Sequence, residues 1–166
     1  MIGIRPFSGS TLFRAERNAS CIYIGTLAVG KRPGVPELTG EFTEVGENDS
    51  FEKLGAAVLI SLIGFGWDKK IIRNTNELPP VPPQVGDISW RDFCSKYLNV
   101  GVSMAVNGRE LIMMPARRVR TGEAHTYIYE DGIAFTCELE PTVIGKLIRE
   151  GFRRAEILKT TEGQMV

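Results

Sequence analysis

Two dipeptides constrain the fold of this chain more than any other feature. Asn107-Gly108 lies between VGVSMAV and RELIMMPA, and Asp131-Gly132 lies between HTYIYE and IAFTCEL. A two-residue hairpin loop of type I′ needs positive φ at both central positions, which Asn, Asp and Gly tolerate best. Val100 to Leu139 is therefore expected to form four consecutive antiparallel strands, folded as two tight hairpins.

Loops of this length also set register. In the first hairpin Val106 should face Arg109, Met104 should face Leu111, and Val102 should face Met113. In the second, Glu130 should face Ile133, Ile128 should face Phe135, and Thr126 should face Cys137. Side chains alternate across a strand, so one face collects Val102, Met104, Val106, Leu111, Met113, Ile128, Ile133, Phe135 and Cys137. The opposite face of the second hairpin carries His125, Tyr127, Tyr129, Ala134, Thr136 and Glu138. One apolar and one wetter face is the pattern of an antiparallel sheet.

The N-terminal part reads as further strands. Thr11–Arg14 is short and Cys21–Val29 is stronger, with Gly25 marking a bulge. Gly30–Glu37 is a loop by its Gly and Pro content, and Leu38–Val45 is a short, polar edge strand. A helix over 50–65 follows, capped by Asp49 or Ser50, with Phe51, Leu54, Val58, Leu62 and Phe65 at helical spacing. Leu59, Ile60 and Ile63 widen its apolar surface, which predicts a helix buried nearly all round.

Beyond it, a short strand is expected near Lys70–Arg73. The prolines of ELPPVPPQV (77–85) then force an extended connector. Ser89 caps a helix in WRDFCSKYL, and Thr142 caps another over Val143–Arg154. Glu156–Lys159 suggests a last short strand, and 159–166 a frayed tail. The fold expected is α+β: one domain, with an antiparallel β-meander sheet packed against a buried central helix and two shorter helices.

Composition narrows function mainly by exclusion. Twenty basic and twenty acidic side chains balance, whereas a general nucleic-acid binder usually carries a basic surplus. Cys21, Cys94 and Cys137 are widely spaced and fit three reduced thiols, and with a single histidine they form no zinc pattern. Phosphate-loop and dinucleotide glycine motifs are absent, so no cofactor is expected. The longest uncharged apolar run, Leu54 to Trp67, is too short for a membrane span of about 20 residues. MIGIRPFSGSTLF lacks the pattern of a signal peptide, so a soluble, cytoplasmic protein is expected.

Three groups of residues invite a function. His125 opposite Glu138, beside Tyr127, would suit acid–base chemistry in a small enzyme. Arg109, Arg117, Arg118 and Arg120, the last three in a loop over Pro115–Glu123, would suit nucleic acid; pairing with Glu110, Glu123 and Glu130 would neutralise them. Between Glu37 and Glu52 the chain carries Glu41, Glu44, Glu47 and Asp49 with no Lys or Arg. That segment suits a basic protein partner.

The reading drawn from these features is a non-catalytic protein-binding domain, of the kind that a bacterial immunity or antitoxin-type inhibitor uses to mask a basic toxin. The contact residues expected are Glu41, Glu44, Glu47 and Asp49, together with His125, Tyr127, Tyr129 and Glu138.

Overall fold

The computed structural model describes residues 4–32, 34–73, 77–121, 124–129 and 134–164. It is an α+β fold built from two three-stranded meanders joined side by side. The first comprises β1 (Gly9–Ala15), β2 (Cys21–Gly30) and β3 (Pro36–Gly46); the second comprises β5 (Tyr97–Met104), β6 (Glu110–Thr121) and β7 (Ala124–Tyr129). Antiparallel pairing of β1 with β5 unites them in the order β3-β2-β1-β5-β6-β7. A short β4 (Gly66–Ile71) adds in parallel to the end of β2, and β8 (Phe135–Glu138) adds to β6.

The first hairpin has the expected register, with Val102 opposite Met113 and Met104 opposite Leu111. Asn107 closes it by accepting the Arg109 amide on Oδ1 at 2.9 Å. Gly25 also behaves as expected, since the β2–β3 register shifts between Gly25 and Leu27. β1, expected as a minor strand, is central: it pairs with β2 on one side and β5 on the other.

The second hairpin does not form as expected. Thr126 lies opposite Val119, and Cys137 lies opposite Leu111, so β7 and β8 both pair with β6. The reason is the length of β6, which takes in Pro115–Thr121, read from the sequence as part of a loop. Its first half bonds β5 on one edge and β8 on the other, and its second half bonds β7. Pro115, which lacks an amide donor, stands where the ladder with β5 ends. The Asp131-Gly132 turn, with Glu130 and Ile133, lies outside the described residues, as does Glu123.

Both faces of the sheet are covered. On one lie α1 (Phe51–Ile63) and α3 (Pro141–Gln164). Leu54, Val58 and Leu62 of α1 and Ile144, Ile148 and Phe152 of α3 enter a core with Leu12, Ile22, Ile24, Val102, Met104, Leu111 and Met113. Ser50 caps α1, its Oγ accepting from the Lys53 amide at 3.1 Å. Two expectations about the helices need correction. Ile60 and Ile63 are 69% and 60% exposed, because α1 is covered by the sheet and by α3 but open on its third side. It is α3 that packs along β5 and β6, so the longest helix, and not α1, roofs the first hairpin.

Glu140, not Thr142, starts α3. Its carboxylate accepts the Thr142 and Val143 amides at 3.1 and 2.9 Å, a favourable place for an anion at a helix N-terminus. The helix continues through 156–159, where a strand was expected, to Gln164.

The opposite face holds α2 (Trp90–Lys96), capped by Ser89 as expected. Phe93 packs there with Phe13, Tyr23 and Cys21, and Val81, Val85, Ile88 and Tyr127 close over them. The Pro-rich connector thus acts as a lining for this second core. Phe93 and Tyr97 stack at 4.2 Å, and Phe13 meets Phe93 edge-on at 5.0 Å.

Candidate partner-binding site

The acidic segment becomes the outermost strand of the sheet. β3 pairs with β2 alone in the strand order, with Thr43 opposite Ile24 and Glu44 opposite Tyr23. Glu41 and Glu44 are exposed on it. Glu47 and Asp49 are engaged inside the molecule. The Glu47 carboxylate takes Arg14 Nε at 3.0 and 3.1 Å and Nη2 at 2.8 Å, while Arg149 Nη1 lies 3.1 Å from the same oxygen. Arg149 also donates to the Glu47 carbonyl at 2.6 Å. Asp49 accepts the Gly46 amide at 2.7 Å and meets Lys53 at 3.0 Å. The bond to Lys53, helped by the Gly46 amide, holds its carboxyl below the usual carboxylate range.

His125, Tyr127 and Tyr129 line a groove of about 460 Å³ between β7 and the start of β3. Leu38, Pro79 and Trp90 form its other walls. The groove thus lies between the tyrosines and the start of β3; Glu41 and Glu44 do not line it and stand further along that strand. The hydroxyls of the two tyrosines point inward. Tyr127 donates to the Tyr97 carbonyl at 2.7 Å, and Tyr129 donates to Asn99 Oδ1. Asn99, itself buried, donates to Thr11 Oγ1 at 2.7 Å and to the Leu12 carbonyl at 2.9 Å. Burial pushes the Tyr129 hydroxyl up to about 12 and raises that of Tyr127 as well. Both are protonated donors near neutral pH, fixed by the sheet, with ring surface turned to the groove.

His125 does not meet Glu138. It lies opposite Arg120 on β6, whereas Glu138 lies opposite Glu110, ten residues earlier and roughly 30 Å along the strand. The acid–base pair drawn from the second hairpin falls with that hairpin's register. Burial, then Arg118 and Arg120, lower the His125 pKa, which favours neutral imidazole.

The arginine cluster is also redistributed. Arg117, Arg118 and Arg120 belong to β6, and Arg118 is buried. It pairs with Glu16 and donates to the Cys94 and Ser95 carbonyls at 3.2 and 3.3 Å, closing the C-terminal end of α2. The three cysteines are free and buried, and burial raises the pKa of each thiol. No group of three or more metal-ligating side chains occurs among the described residues. None of the described helices is long and apolar enough to cross a membrane.

Residues that the sequence left unassigned complete the groove. Arg73 donates to Glu37 at 2.7 Å and to the Leu38 carbonyl at 2.5 Å, bracing the rim. Pro79 was legible in one sense, because a Pro-rich connector must run over something; which surface it covers depends on the fold. Trp90, at the start of α2, reads from the sequence only as part of the apolar stripe of that helix.

No family model matches the chain, and no curated protein matches it. Solved structures do share its architecture. One is a protein of unknown function from Neisseria meningitidis, at 14% identity and a TM-score of 0.64. Another is a chain from the CdiA-CT/CdiI toxin and immunity complex of Yersinia pseudotuberculosis, at 14% identity and a TM-score of 0.56. Each comparison covers 93% of this chain and 98% of the other. At this identity the likeness is one of fold.

Proposed function

We propose that this chain is a bacterial immunity-type protein that binds and neutralises a partner toxin. The observation that carries the proposal is the likeness, over 93% of this chain and 98% of the other, to a chain from a toxin and immunity complex. The exposed carboxylates of β3 and the groove beside them support the inhibitor's side of such a pair. Glu41 and Glu44 project from an edge strand, where they would attract a basic partner and speed its approach. His125, Tyr127 and Tyr129 offer a rigid, aromatic wall, of the kind that anchors protein interfaces. Glu47 and Asp49 serve the same surface indirectly, by fixing the turn that follows β3. Glu138 lies apart from the groove and is not given a contact.

The test is protection. Cells expressing the toxin domain encoded beside this chain should grow when the chain is co-expressed, and the two proteins should co-purify. Glu41→Lys with Glu44→Lys should weaken capture and raise its sensitivity to salt. Absence of both protection and complex would sink the reading. Full protection by the double variant at low salt would remove the acidic strand from it.

A further inference from the structure

The balanced net charge of the chain hides a sorted surface. Where β2 ends, the parallel pairing of β4 with β2 places Val29 beside Lys70 and Gly30 beside Ile71. Lys31 and Arg32 follow Gly30 directly, just beyond the end of the β2–β4 ladder. Lys69 and Lys70 are exposed, as are Lys31 and Arg32. Arg5 joins them from the N-terminal segment, its guanidinium 5.6 Å over the Trp67 ring, in a shallow cleft that also includes Lys69. Asp68 is the carboxylate of this corner. Glu37 is nearby but is engaged by Arg73. Among the described residues, no carboxylate is in ion-pair contact with Lys31, Arg32, Lys69 or Lys70.

Apart from Asp68, the described residues set no carboxylate against these cations, which leaves their charge to an anion from outside. We infer that the corner formed by Arg5, Lys31, Arg32, Lys69 and Lys70 binds the phosphodiester backbone of nucleic acid. Ammonium groups suit phosphates as point charges on flexible stems. Trp67 supplies the second element such surfaces use, an aromatic ring beside the cations. Its Nε1 is tied to Ser8 Oγ at 3.1 Å and its ring packs on Phe65 at 4.9 Å, so it is fixed in place beneath the Arg5 guanidinium. The arginine cluster of β6 is a poorer candidate, since Arg118 is committed to Glu16 and α2. The inference does not rest on the toxin-binding proposal, although the corner adjoins the start of β3, where Glu37 and Arg73 border the groove.

Fluorescence anisotropy with a labelled single-stranded oligonucleotide, and with its duplex, tests the inference on the full chain. Binding should appear at about 50 mM salt and weaken roughly fifty-fold by about 200 mM, if four phosphates are neutralised at a slope of about −0.7 each. Lys31→Glu, Lys69→Glu and Lys70→Glu together should cut affinity at least about tenfold, while Arg at the same positions should preserve it. These side chains are exposed, so an unchanged melting temperature should accompany the loss. Glu41→Lys with Glu44→Lys, aimed at the other surface, should leave oligonucleotide binding intact. No anisotropy change at low salt would overturn the inference. So would equal competition by poly-glutamate at matched charge, which would reassign the corner to an acidic protein.

Discussion

Gly55 of α1 and Gly145 of α3 lie where the two helices cross, each against the other helix's backbone. A Cβ on Gly55 would come within 1.8 Å of the Pro141 carbonyl oxygen, and one on Gly145 within 1.9 Å of the Phe51 carbonyl oxygen. Only hydrogen at both positions lets the backbones approach this closely.

Gly55→Ala and Gly145→Ala should therefore each destabilise the protein by about 1–3 kcal/mol or more, through forced separation of the helices. The sign is the informative part. In an open helix the same change stabilises by about 1 kcal/mol. Urea denaturation of each variant measures it, and a stabilised variant would show that the crossing is looser than described.

Arg118 and Glu16 form a second test of packing. Both side chains are about nine-tenths covered, and Arg118 also holds two carbonyls at the end of α2. Arg118→Met takes the guanidinium away from a buried carboxylate, and should cost about 3–5 kcal/mol. Adding Glu16→Gln should recover part of that loss. A double-mutant cycle by denaturation gives the coupling directly.

His125 predicts a pH dependence. Its folded-state pKa is lowered by burial and by Arg118 and Arg120, so the unfolded chain binds the proton more readily. Stability contributed by keeping the imidazole neutral is present above the unfolded value of about 6.5, and is lost as pH falls from there towards the folded pKa. The stability difference between pH 7.5 and pH 5.5, which brackets the upper part of that window, should shrink in His125→Gln. Equal pH sensitivity in both proteins would show that other groups carry it.

The four carboxylates of the acidic segment should separate into two pairs. Glu47→Ala frees Arg14 and Arg149 from their common anchor and should lower stability by about 1–3 kcal/mol. Glu41→Ala and Glu44→Ala should shift it by no more than about 0.5 kcal/mol, as expected for exposed positions. Partner affinity should follow the opposite order, falling first with the exposed pair.

Much of this architecture was legible from local signals. The Asn107-Gly108 turn, the bulge near Gly25 and the Ser50 and Ser89 caps are decided by a few neighbouring residues, and each stands where the sequence puts it. Long-range competition decided the rest. The edge of β6 was long enough to take β7 and β8 in separate places, and no local feature of HTYIYE or IAFTCEL shows that preference. Tyr127 and Tyr129 read as a wet sheet face because alternation cannot reveal that α2 and a Pro-rich connector lie over it. The acidic run was visible as charge, but only the fold shows that Arg14 and Arg149 claim Glu47. The basic corner has no local signature, because its members are scattered between positions 5 and 70 and are brought near one another by β2–β4 pairing and by the N-terminal segment over Trp67.

The pairing of β1 with β5 bears on how the chain is made. Thr11 and Asn99 are 88 residues apart, yet they share a buried hydrogen bond in adjacent strands. As the protein emerges from the ribosome, the first meander must wait, one edge of β1 unpaired, until β5 is also out. Pairings over such separations fold slowly and leave strand edges open to aggregation meanwhile. Yield in the cell should thus depend on how long that edge stays bare, and slowing translation between β1 and β5 should lower the soluble fraction more than slowing it after α3 has begun.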